Sequence, residues 1–492
     1  MKYFSTRDKS HETFDSAQVI KKGLADDGGL FVPEQLPSLT KEEILSLCQR
    51  TYPQRAAYIL SKFLTDYTFD ELLEDCEAAY SAKAFPDGAA PLKKVTDDLF
   101  SLELWHGPTA AFKDMALQIM PRLLSRALVK TGENNTALIL VATSGDTGKA
   151  ALEGYKDIDR IKIMVFYPVD GVSKVQKLQM ATQTGDNVHV CAIKGNFDDA
   201  QNGVKKIFSD PVAKKALLGH SYILSSANSI NWGRLAPQIV YYVSAYCDLI
   251  QQGEISYGET VNVCVPTGNF GNIFAAYIAK RMGLPLNKLI CASNANNVLT
   301  EFLETGTYNR NRPFHVTMSP SMDILISSNL ERLLYFSIGA EQTKEYMSQL
   351  NKNGSYTVSE DVKKTISDNF VGYCADEEET AETLHAFYQT YGYLADTHTS
   401  VALHCAERYQ KDAHDGKKMI VASTASPYKF AADVYHAIAK KNASADTGAL
   451  EDLSKLTDTE ITAPLRNLAD RPVRFSKIIE AEEMLQEVYD FM

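Results

Sequence analysis

The sequence predicts an α/β fold, doubly wound, with mainly parallel sheets. From residue 136 onward, short apolar segments of strand length alternate with glycine-containing turns and with segments of helical periodicity. This alternation is typical of parallel sheets covered by helices on both faces. Residues 1–90 lack it and are predicted to be mostly helical. A chain of 492 residues has room for two or three domains, because single cores stop growing near ~250 to 300 residues.

The N-terminal residues 1–90 are predicted to form a helical cap. Thr40 begins a helix, because Glu43 three residues later completes a capping box. A second amphipathic helix is predicted over 53–64, where a proline suits the first helical position. The segment 85–92, with two prolines and a glycine, marks the boundary to the next part of the chain.

The remaining elements follow as strands, turns and helices. Strands are predicted at 99–105, 136–142, 161–168, 188–195 and 221–227, and again at the start of 261–282, 288–306 and 417–440. A helix follows the first of these strands, and Pro121 is predicted to kink or split it after roughly two turns.

Lys113 lies where the strand 99–105 leads through a small-residue turn into that helix. An amine there feels the positive end of the helix dipole, which disfavours the ammonium form, and burial adds to the same effect. Both effects favour a nucleophilic lysine that forms Schiff bases. The alternative, a solvated lysine in a first helical turn, is the commoner environment of lysine. The local sequence alone does not decide between them.

Composition and charge argue against several classes of function. The formal charge of −12 disfavours a nucleic acid or an anionic membrane as partner, because both select for clustered lysine and arginine. Eight cysteines are scattered without a Cys-x-x-Cys pair or histidines at metal-ligand spacing, so no metal is expected and the thiols fit a reduced, cytoplasmic protein. The N-terminus has no apolar leader, and no apolar run approaches the ~20 residues that span a bilayer.

Two glycine turns carry the strongest physical signal for a ligand. Residues 143–148 (TSGDTG) and 267–272 (TGNFGN) each join an apolar strand to a helix, which aims unpaired backbone N–H groups and a helix dipole at one point. In α/β sheets such turns lie at the carboxyl ends of the strands, where ligands bind. Either one alone is most often only a tight turn, but two together indicate two anionic groups.

Neither turn fits a nucleotide-binding motif. A Walker P-loop needs four residues between its glycines and Lys-[Ser/Thr] after the second. Here Gly145 and Gly148 are separated by two residues, and Lys149 precedes Ala150. A dinucleotide fingerprint with an acidic residue ~20 positions later is absent as well.

A set of short motifs extends over nearly the whole chain. In order they are YFSTRD, GLADDGGLFVP, HGPTAAFKD, ATSGDTGKAA, FDDAQ, NSINWGRLAPQIVYY, PTGNFGN, SPSMDILISSNLERLL and STASPYKF. The ordered set resembles the long microbial type of threonine synthase, a family of fold-type II pyridoxal-phosphate enzymes. The resemblance implies two interwoven α/β domains beside the cap of 1–90. The large, cofactor-binding domain would comprise 91–130 and 225–492, and the small domain with the substrate loop would comprise 131–224.

The resemblance also implies roles for residues in both glycine turns. Lys113 would carry pyridoxal 5'-phosphate as an internal aldimine, and Thr424 would face the pyridine nitrogen, where a hydroxyl need not keep that nitrogen protonated. The cofactor phosphate would be bound by Gly268, Asn269, Phe270 and Asn272. The substrate carboxylate would be bound at a helix N-terminus by Thr143, Ser144, Asp146 and Thr147.

The implied reaction converts O-phospho-L-homoserine and water into L-threonine and phosphate by γ-elimination and β-addition of water. Lys113, released from the cofactor, would move protons because it stands next to the imine. For the substrate phosphate several candidates stay open: Lys149, Ser226, Asn231, Arg234, Ser328, Asn329 and Arg332. The arginines are favoured because guanidinium binds phosphate with two hydrogen bonds, and a structural salt bridge is the alternative for each.

Two other functions remain open. One is a different fold-type II lyase, such as a hydroxy-amino-acid dehydratase or a phosphohomoserine lyase; the other is a threonine-synthase-like protein that binds the cofactor without turnover. The order of the motifs favours a synthase over the first, and the intact Lys113 and glycine turns favour it over the second. The segment SPYKF departs from the family pattern, in which a histidine often follows STA.

Three further polar residues are expected to be structural. His106 is interpreted as a packed side chain rather than a proton relay, and Asp396 and His398 as structural or subunit-contact residues. The expected partner is the small-molecule substrate alone, with no nucleic acid and no membrane. The expected location is cytoplasmic, and the expected assembly is a monomer or a homodimer.

Overall fold

Two parallel sheets form the framework of the computed structural model, which describes residues 1–10, 12–143, 145–169, 172–445 and 447–492, apart from the side chains of residues 197 and 198. The strands are β1 (Tyr3–Ser5), β2 (Phe31–Pro33), β3 (Leu92–Lys94), β4 (Leu99–Glu103), β5 (Thr136–Ala142), β6 (Ile161–Pro168), β7 (Val188–Ile193), β8 (Tyr222–Ser225), β9 (Val261–Pro266), β10 (Leu286–Ser293), β11 (Thr307–Asn309), β12 (Ser355–Thr357), β13 (Phe370–Cys374), β14 (Met419–Ser423) and β15 (Ile478–Ile479).

The helices alternate with these strands. They are α1 (Ser16–Lys22), α2 (Lys41–Cys48), α3 (Tyr52–Phe63), α4 (Phe69–Ala79), α5 (Asp114–Leu117), α6 (Met120–Lys130), α7 (Asp146–Tyr155), α8 (Lys174–Ala181), α9 (Phe197–Ser209), α10 (Pro211–Gly219), α11 (Trp232–Gln251), α12 (Gly271–Arg281), α13 (Val298–Thr305), α14 (Leu330–Asn353), α15 (Glu360–Ser367), α16 (Glu377–Tyr391), α17 (Thr397–Ala413), α18 (Ala431–Ala439), α19 (Gly448–Thr457) and α20 (Met484–Phe491). Short 3₁₀ helices lie at Pro320–Met322, Pro427–Phe430, Ala463–Leu465, Leu468–Asp470 and Ala481–Glu483.

The larger sheet has its strands in the order β13-β10-β9-β14-β4-β3. All neighbours pair in parallel except β3, which pairs with β4 in the antiparallel sense. The strands predicted near residues 99, 261, 288 and 417 are confirmed as β4, β9, β10 and β14. Because these strands are parallel, the turns that follow them lie at one edge of the sheet.

The smaller sheet is parallel throughout, in the order β15-β7-β6-β5-β8. The strands predicted at 136–142 and 161–168 coincide with β5 and β6, whereas β7 and β8 are shorter than the predicted 188–195 and 221–227. The short strand β15 pairs with β7 at the edge of the sheet, and the sequence analysis did not predict it. The division of the chain into domains stays a prediction.

Both faces of the smaller sheet are buried. Along β5, Ala137, Ile139 and Val141 belong to the main core, whereas Leu138 and Leu140 belong to a separate cluster. Successive side chains of a strand point to opposite faces. A strand with two covered faces therefore needs a continuous apolar run, which is why the segment TALILVA predicted a buried strand.

The helix after Lys113 is split, as predicted, but earlier than predicted. The first piece, α5, is a single turn, and α6 begins just before Pro121. Proline has no N–H to donate to the preceding turn and is favoured in the first turn of a helix, so the break falls before it. At the break, α7 packs so closely that a Cβ on Gly154 would lie 1.8 Å from the Leu117 carbonyl oxygen.

The N-terminal helices pack against α11, which is buried along most of its length. Thr40 caps α2 by accepting a hydrogen bond from the Glu43 N–H at 3.2 Å, so the predicted capping box is present. Arg55 on α3 forms an ion pair with Asp248 of α11 at 2.6 Å. These contacts fix the helix that carries Arg234 into the site. In the part of the chain that the structure describes, no helix is both long and apolar enough to cross a lipid bilayer.

Candidate active site

Loops from the two parallel sheets meet at the candidate active site. The segment after β4 carries Lys113, and the turn after β5 carries Asp146. Lys113 Nζ lies 3.6 Å from Asp146 Oδ2, so the two loops face each other directly. The carboxyl ends of parallel strands are the usual place for a ligand, and here they supply a buried amine and a buried carboxylate.

Backbone contacts hold the segment that carries Lys113. The Phe112 N–H donates to the Thr424 carbonyl at 2.8 Å, and Ala111 forms a β-bridge with Ala425. Lys113 is the N-terminal capping residue of α5. The lysine side chain therefore projects from a segment fixed against the residues that follow β14.

The Lys113 amine is largely buried. Its side chain keeps 11% of its exposure, and Nζ donates to Ser321 Oγ at 3.3 Å. Burial lowers the pKa of Lys113 to about 8; Asp146 opposes this shift, and Arg234 and Lys429 add to it. A helix dipole was also predicted to lower this pKa, but α5 is only one turn long, so burial is the main cause.

Asp146 is an anion between two lysines. Its Oδ1 lies 2.7 Å from Lys429 Nζ and accepts a hydrogen bond from Gln176 Nε2 at 2.9 Å. Burial raises the pKa of this carboxyl, but the Lys429 and Lys113 ammonium groups outweigh burial and hold the pKa well below its usual range. An anionic side chain repels a substrate carboxylate, so only the backbone N–H of Asp146 suits the role that the resemblance implied.

The loop 143–148 is braced from within. Thr143 Oγ1 accepts hydrogen bonds from the N–H groups of Gly145 at 3.0 Å and Gly148 at 2.9 Å. Gly145 has a φ of 139°, and a Cβ there would lie 2.4 Å from the Gln176 side chain, so the turn requires glycine. Among the described residues, the N–H groups of Asp146 and Thr147 have no acceptor, which leaves them available to an anion. Ser144, also predicted to bind substrate, lies outside the described residues.

The turn 267–272 is held by the segment that follows residue 326. Ser327 Oγ donates to the Gly268 carbonyl at 2.7 Å, and Asn329 Nδ2 donates to the Asn269 carbonyl at 3.0 Å. Phe270 adopts a left-handed conformation with a φ of 62°, which re-aims the chain into α12. With its carbonyls bound on the outside, the turn presents its N–H groups at the start of the helix.

This turn fits the phosphate of a cofactor. Asn272 Oδ1 accepts from the Tyr241 and Tyr242 hydroxyls at 2.7 and 2.5 Å, whereas its buried Nδ2 has no partner among the described residues. The N–H groups of Gly268 and Asn269 likewise have no acceptor within the described parts of the chain. A buried orphan donor is costly, and phosphate oxygens at the start of a helix would satisfy it.

Thr424 lies next to Lys113 and keeps a free hydroxyl. Its carbonyl accepts the Phe112 N–H, and its own N–H donates to Thr399 Oγ1 at 3.3 Å. The Thr424 side-chain oxygen has no hydrogen-bond partner among the residues that the structure describes. The residue thus fits the role of a partner for a ring nitrogen.

Among the predicted phosphate ligands, Arg234 is the one whose charge acts on the pKa of Lys113. Its Nη1 donates to the Ala227 carbonyl at 2.8 Å, and no described carboxylate forms an ion pair with it. Burial lowers the pKa of Arg234 to about 10, and its charge lowers the pKa of Lys113. A buried guanidinium without a carboxylate partner is suited to an anionic ligand.

The other predicted phosphate ligands are engaged elsewhere. Lys149 binds Glu153 and Gln183, and Arg332 binds the Phe31 and Ile230 carbonyls and Asn329. Asn231 binds the backbone of Ile20, Ser226 and Gly233, and Ser226 accepts a hydrogen bond from Asn228. Ser328 and Asn329 contact Asn269. In the described contacts Lys149, Asn231 and Arg332 bind other groups, and none of them touches Lys113. Ser328 and Asn329 brace the predicted cofactor-phosphate turn, because they are adjacent to it in space.

His398 positions a residue of the site. Its Nδ1 lies 2.9 Å from Asp396 Oδ1, and its Nε2 accepts the Ser321 N–H at 3.1 Å. This pair fixes the loop that places Ser321 Oγ on Lys113. His106 is wedged between Glu103 at 2.7 Å and Asp87 at 3.4 Å. Among the described contacts it has none with Lys113, which agrees with a packed structural residue.

Three residues near Lys113 were missed by the sequence analysis: Ser321, Gln176 and Lys429. Gln176 lies in a segment without a strand-turn-helix pattern, so no signal pointed to it. Ser321 lies in the motif SPSMDILISSNLERLL, but nothing in that motif assigned it a role. Lys429 carried a weak one, since it follows the predicted strand of 417–440 at the same sheet edge as Lys113.

Comparison with known proteins supplies the class. Residues 2–80 match the family described as "Threonine synthase N terminus", residues 90–424 match "Pyridoxal-phosphate dependent enzyme", and residues 399–490 match "Threonine synthase, C-terminal". The second match covers more than half of the chain and includes Lys113 and both glycine turns. Fold and site together define a pyridoxal-phosphate dependent enzyme, whose cofactor is pyridoxal 5'-phosphate.

Individual relatives narrow this class. Threonine synthase of Pseudomonas aeruginosa is 39% identical, over 87% of this chain and 89% of its own length. The crystal structure of PLP-bound threonine synthase from Brucella melitensis has a TM-score of 0.88 at 36% identity, covering 100% of this chain and 99% of that one. Threonine synthase-like 1 of Homo sapiens is 41% identical over 86% of this chain, which spans only 58% of that longer protein. The chain belongs to the threonine synthase family.

Proposed function

We propose that the chain acts as a threonine synthase, converting O-phospho-L-homoserine and water into L-threonine and phosphate. The observation that carries the proposal is the buried Lys113 amine, with a pKa of about 8, between two turns that offer N–H groups to anions. Among the described residues, the cations Lys429 and Arg234 outnumber the carboxylate of Asp146 in acting on this amine. The net positive charge suits a substrate that carries both a carboxylate and a phosphate.

Lys113 is proposed to bind the cofactor and then to act as the acid-base group. Bound pyridoxal phosphate supplies an electron sink that acidifies the substrate α-carbon. The Lys113 amine would then take protons from Cα and Cβ, and phosphate would leave Cγ with the C–O electrons as a Cβ=Cγ double bond forms. Lys113 would next return a proton to Cγ. After water adds at Cβ and gives its proton to the departed phosphate, Lys113 would return the second proton to Cα. A pKa of about 8 lets the same group accept and donate protons near neutral pH.

The remaining site residues divide between cofactor and substrate. Gly268, Asn269, Phe270 and Asn272 are proposed to hold the cofactor phosphate, supported by the orphan Asn272 Nδ2. Thr424 is proposed to face the pyridine nitrogen with its free hydroxyl. The loop of Thr143, Ser144, Asp146 and Thr147 is proposed to hold the substrate carboxylate through backbone N–H groups.

For the substrate phosphate, Arg234 is the proposed ligand. It combines a buried guanidinium with the absence of a carboxylate partner among the described residues. Lys149, Asn231 and Arg332 have other partners, so their assignment has no support from the contacts of the free chain. Arg234 can donate to phosphate with two parallel hydrogen bonds because, among the described residues, only its Nη1 has an acceptor.

The location, the assembly and the domain division of the protein belong to the same proposal. We propose a cytoplasmic enzyme acting on a small molecule as a monomer or homodimer, with the domains of 1–90, 131–224 and 91–130 plus 225–492. Seven of the eight cysteines are buried, free thiols, which fits a reducing compartment.

One assay tests the proposal against its alternatives. The purified chain is incubated with pyridoxal 5'-phosphate and O-phospho-L-homoserine, and threonine, 2-oxobutyrate and free phosphate are measured. Threonine and phosphate in equal amounts are expected. Phosphate with 2-oxobutyrate and no threonine would identify a lyase. Cofactor binding without any product would favour the non-catalytic function.

A further inference from the structure

A second buried lysine lies beside Lys113. Lys429 belongs to the 3₁₀ helix Pro427–Phe430 after β14, and its side chain has no exposed surface. Its Nζ lies 2.7 Å from Asp146 Oδ1 and donates to the Thr109 carbonyl at 3.1 Å. Asp146 and Thr109 are themselves buried. The Lys429 ammonium has therefore lost its contact with water and gained one carboxylate and one carbonyl as partners. Such a buried charge is stable only where its partners are held in place.

The same carboxylate reaches Lys113 through its other oxygen. Asp146 Oδ2 lies 3.6 Å from Lys113 Nζ. Ser321 Oγ lies between them, 3.3 Å from the amine and 3.4 Å from the carboxylate. One carboxylate thus serves two ammonium groups. Without Lys429, the full charge of Asp146 would act on Lys113 and stabilise its ammonium form.

We propose that Lys429 is a positioning residue whose buried ammonium fixes Asp146 and offsets its charge, so that Lys113 gives up its proton more readily and becomes a neutral, reactive amine at a lower pH. The neutral amine adds to the cofactor aldehyde, forming a C=N bond and releasing water, whereas an ammonium has no lone pair for this step. The inference rests on the proposed role of Lys113 as the cofactor lysine.

The charges around Lys113 come from several elements. Asp146 on α7 favours the ammonium form, and Arg234 on α11 and Lys429 oppose it. Asp114 on α5 faces Lys429 and is buried. Among the described residues, Lys429 and Arg234 are thus the two cations that counter the effect of Asp146 on Lys113, and of these two Lys429 is in direct contact with Asp146.

The test measures the pH at which Lys113 becomes reactive. The full chain, freed of cofactor, is mixed with pyridoxal 5'-phosphate over a series of pH values. The rate of bond formation is followed by absorbance, and the Lys113 adduct is trapped with borohydride. The unchanged chain should show a midpoint near pH 8. In Lys429→Met the midpoint should rise by about one unit or more, because the charge of Asp146 is no longer offset.

Matched variants separate this effect from general destabilisation. Lys429→Arg keeps the charge and should keep the midpoint. Lys62→Met removes a partly buried lysine that pairs with Glu43 at 2.7 Å, on α3 of the N-terminal cap, and should also keep it.

A second test removes the charge of Asp146 itself. Asp146→Asn should lower the midpoint, and the double variant with Lys429→Met should return it toward that of the unchanged chain. If Lys429→Met does not fold, Asp146→Asn and the double variant still decide the question. A midpoint that stays in place in Lys429→Met or in Asp146→Asn overturns the inference. An adduct trapped on a lysine other than Lys113 would instead overturn the proposed cofactor lysine.

Discussion

The Tyr241 hydroxyl donates a hydrogen bond to Asn272 Oδ1 at 2.7 Å, which fixes the amide of Asn272 with its NH₂ unpaired. In Asn272→Asp this orphan donor becomes a carboxylate oxygen that repels phosphate. We expect the Kd for pyridoxal 5'-phosphate to rise by about 10 to 100-fold, which corresponds to the loss of one hydrogen bond to a charged group. Equilibrium dialysis measures it. Tyr242→Phe, which keeps the NH₂ group, should have a smaller effect, and equal losses in both variants would contradict the assignment.

Lys113→Ala should abolish the covalent link to the cofactor and lower turnover by at least about 10³-fold, because nucleophile and acid-base group are lost together. Borohydride treatment followed by peptide mapping detects the link. Lys62→Ala serves as the control, since it removes a lysine of the N-terminal cap. A reducible adduct that persists in Lys113→Ala would falsify the assignment of the cofactor lysine.

Arg234→Gln should reduce kcat/KM for O-phospho-L-homoserine by about 10²-fold, since a charge-assisted hydrogen bond is lost in a buried site. Affinity for inorganic phosphate as an inhibitor should fall in parallel. Steady-state kinetics measures both. Arg126→Gln, at a partly exposed ion pair with Asp75, is the matched control. The idea is refuted if Arg234→Gln binds phosphate as well as the unchanged chain does.

Gly154→Ala should destabilise the fold by roughly 2 to 4 kcal/mol, because its Cβ would lie 1.8 Å from the Leu117 carbonyl oxygen and force α7 away from α5. The urea unfolding midpoint reports the change. Gly219→Ala is the control: it lies in a helix, and a Cβ there meets no atom within 4 Å. Its midpoint should be unchanged or slightly higher. Similar behaviour of both variants would argue against close packing at Gly154.

The buried Asp114 should make stability depend on pH. Burial raises its pKa to about 6, so the folded chain binds a proton that the unfolded chain releases near pH ~4. Stability contributed by this group is thus present below about pH 4 and is lost as pH rises through about 6. Asp114→Asn no longer titrates and should gain up to about 3 kcal/mol relative to the unchanged chain over that window.

Urea unfolding at several pH values, with both proteins compared at each, isolates the Asp114 contribution. A constant difference between the two proteins would mean that Asp114 titrates normally. Thr109, which donates to Asp114 through its N–H at 2.8 Å and its hydroxyl at 2.7 Å, favours the charged form and sets how far burial can shift the pKa.

Local pattern was enough to predict the central strands, and it singled out Lys113 without deciding between a reactive and a solvated lysine. The strands β5 and β6 coincide with their predicted bounds because both faces are buried, and an unbroken apolar run has only one reasonable structure at that length. Lys113 was found because strand, turn and helix follow one another in sequence. The split near Pro121 was found for the same reason, although its position was off by about one turn.

Contacts between segments distant in sequence could not be predicted in this way. Ser321 and Gln176 meet Lys113 and Asp146 only because two sheets bring their loops together. Asp146 was expected to bind an anion. Its side chain is instead an anion that pairs with Lys429, a residue distant in sequence. Arg332 and Asn231 belong to motifs that look like ligand sites, yet they bind backbone carbonyls within the fold.

The strand β15 has a consequence for how the protein is made. Ile478 pairs with Ala192, so the outer edge of β7 stays uncovered until the ribosome has synthesised nearly all of the chain. At roughly 5 to 20 residues per second, that delay lasts tens of seconds. An open parallel edge exposed for so long is a template for wrong pairing. During synthesis, this edge is where we expect a chaperone to bind.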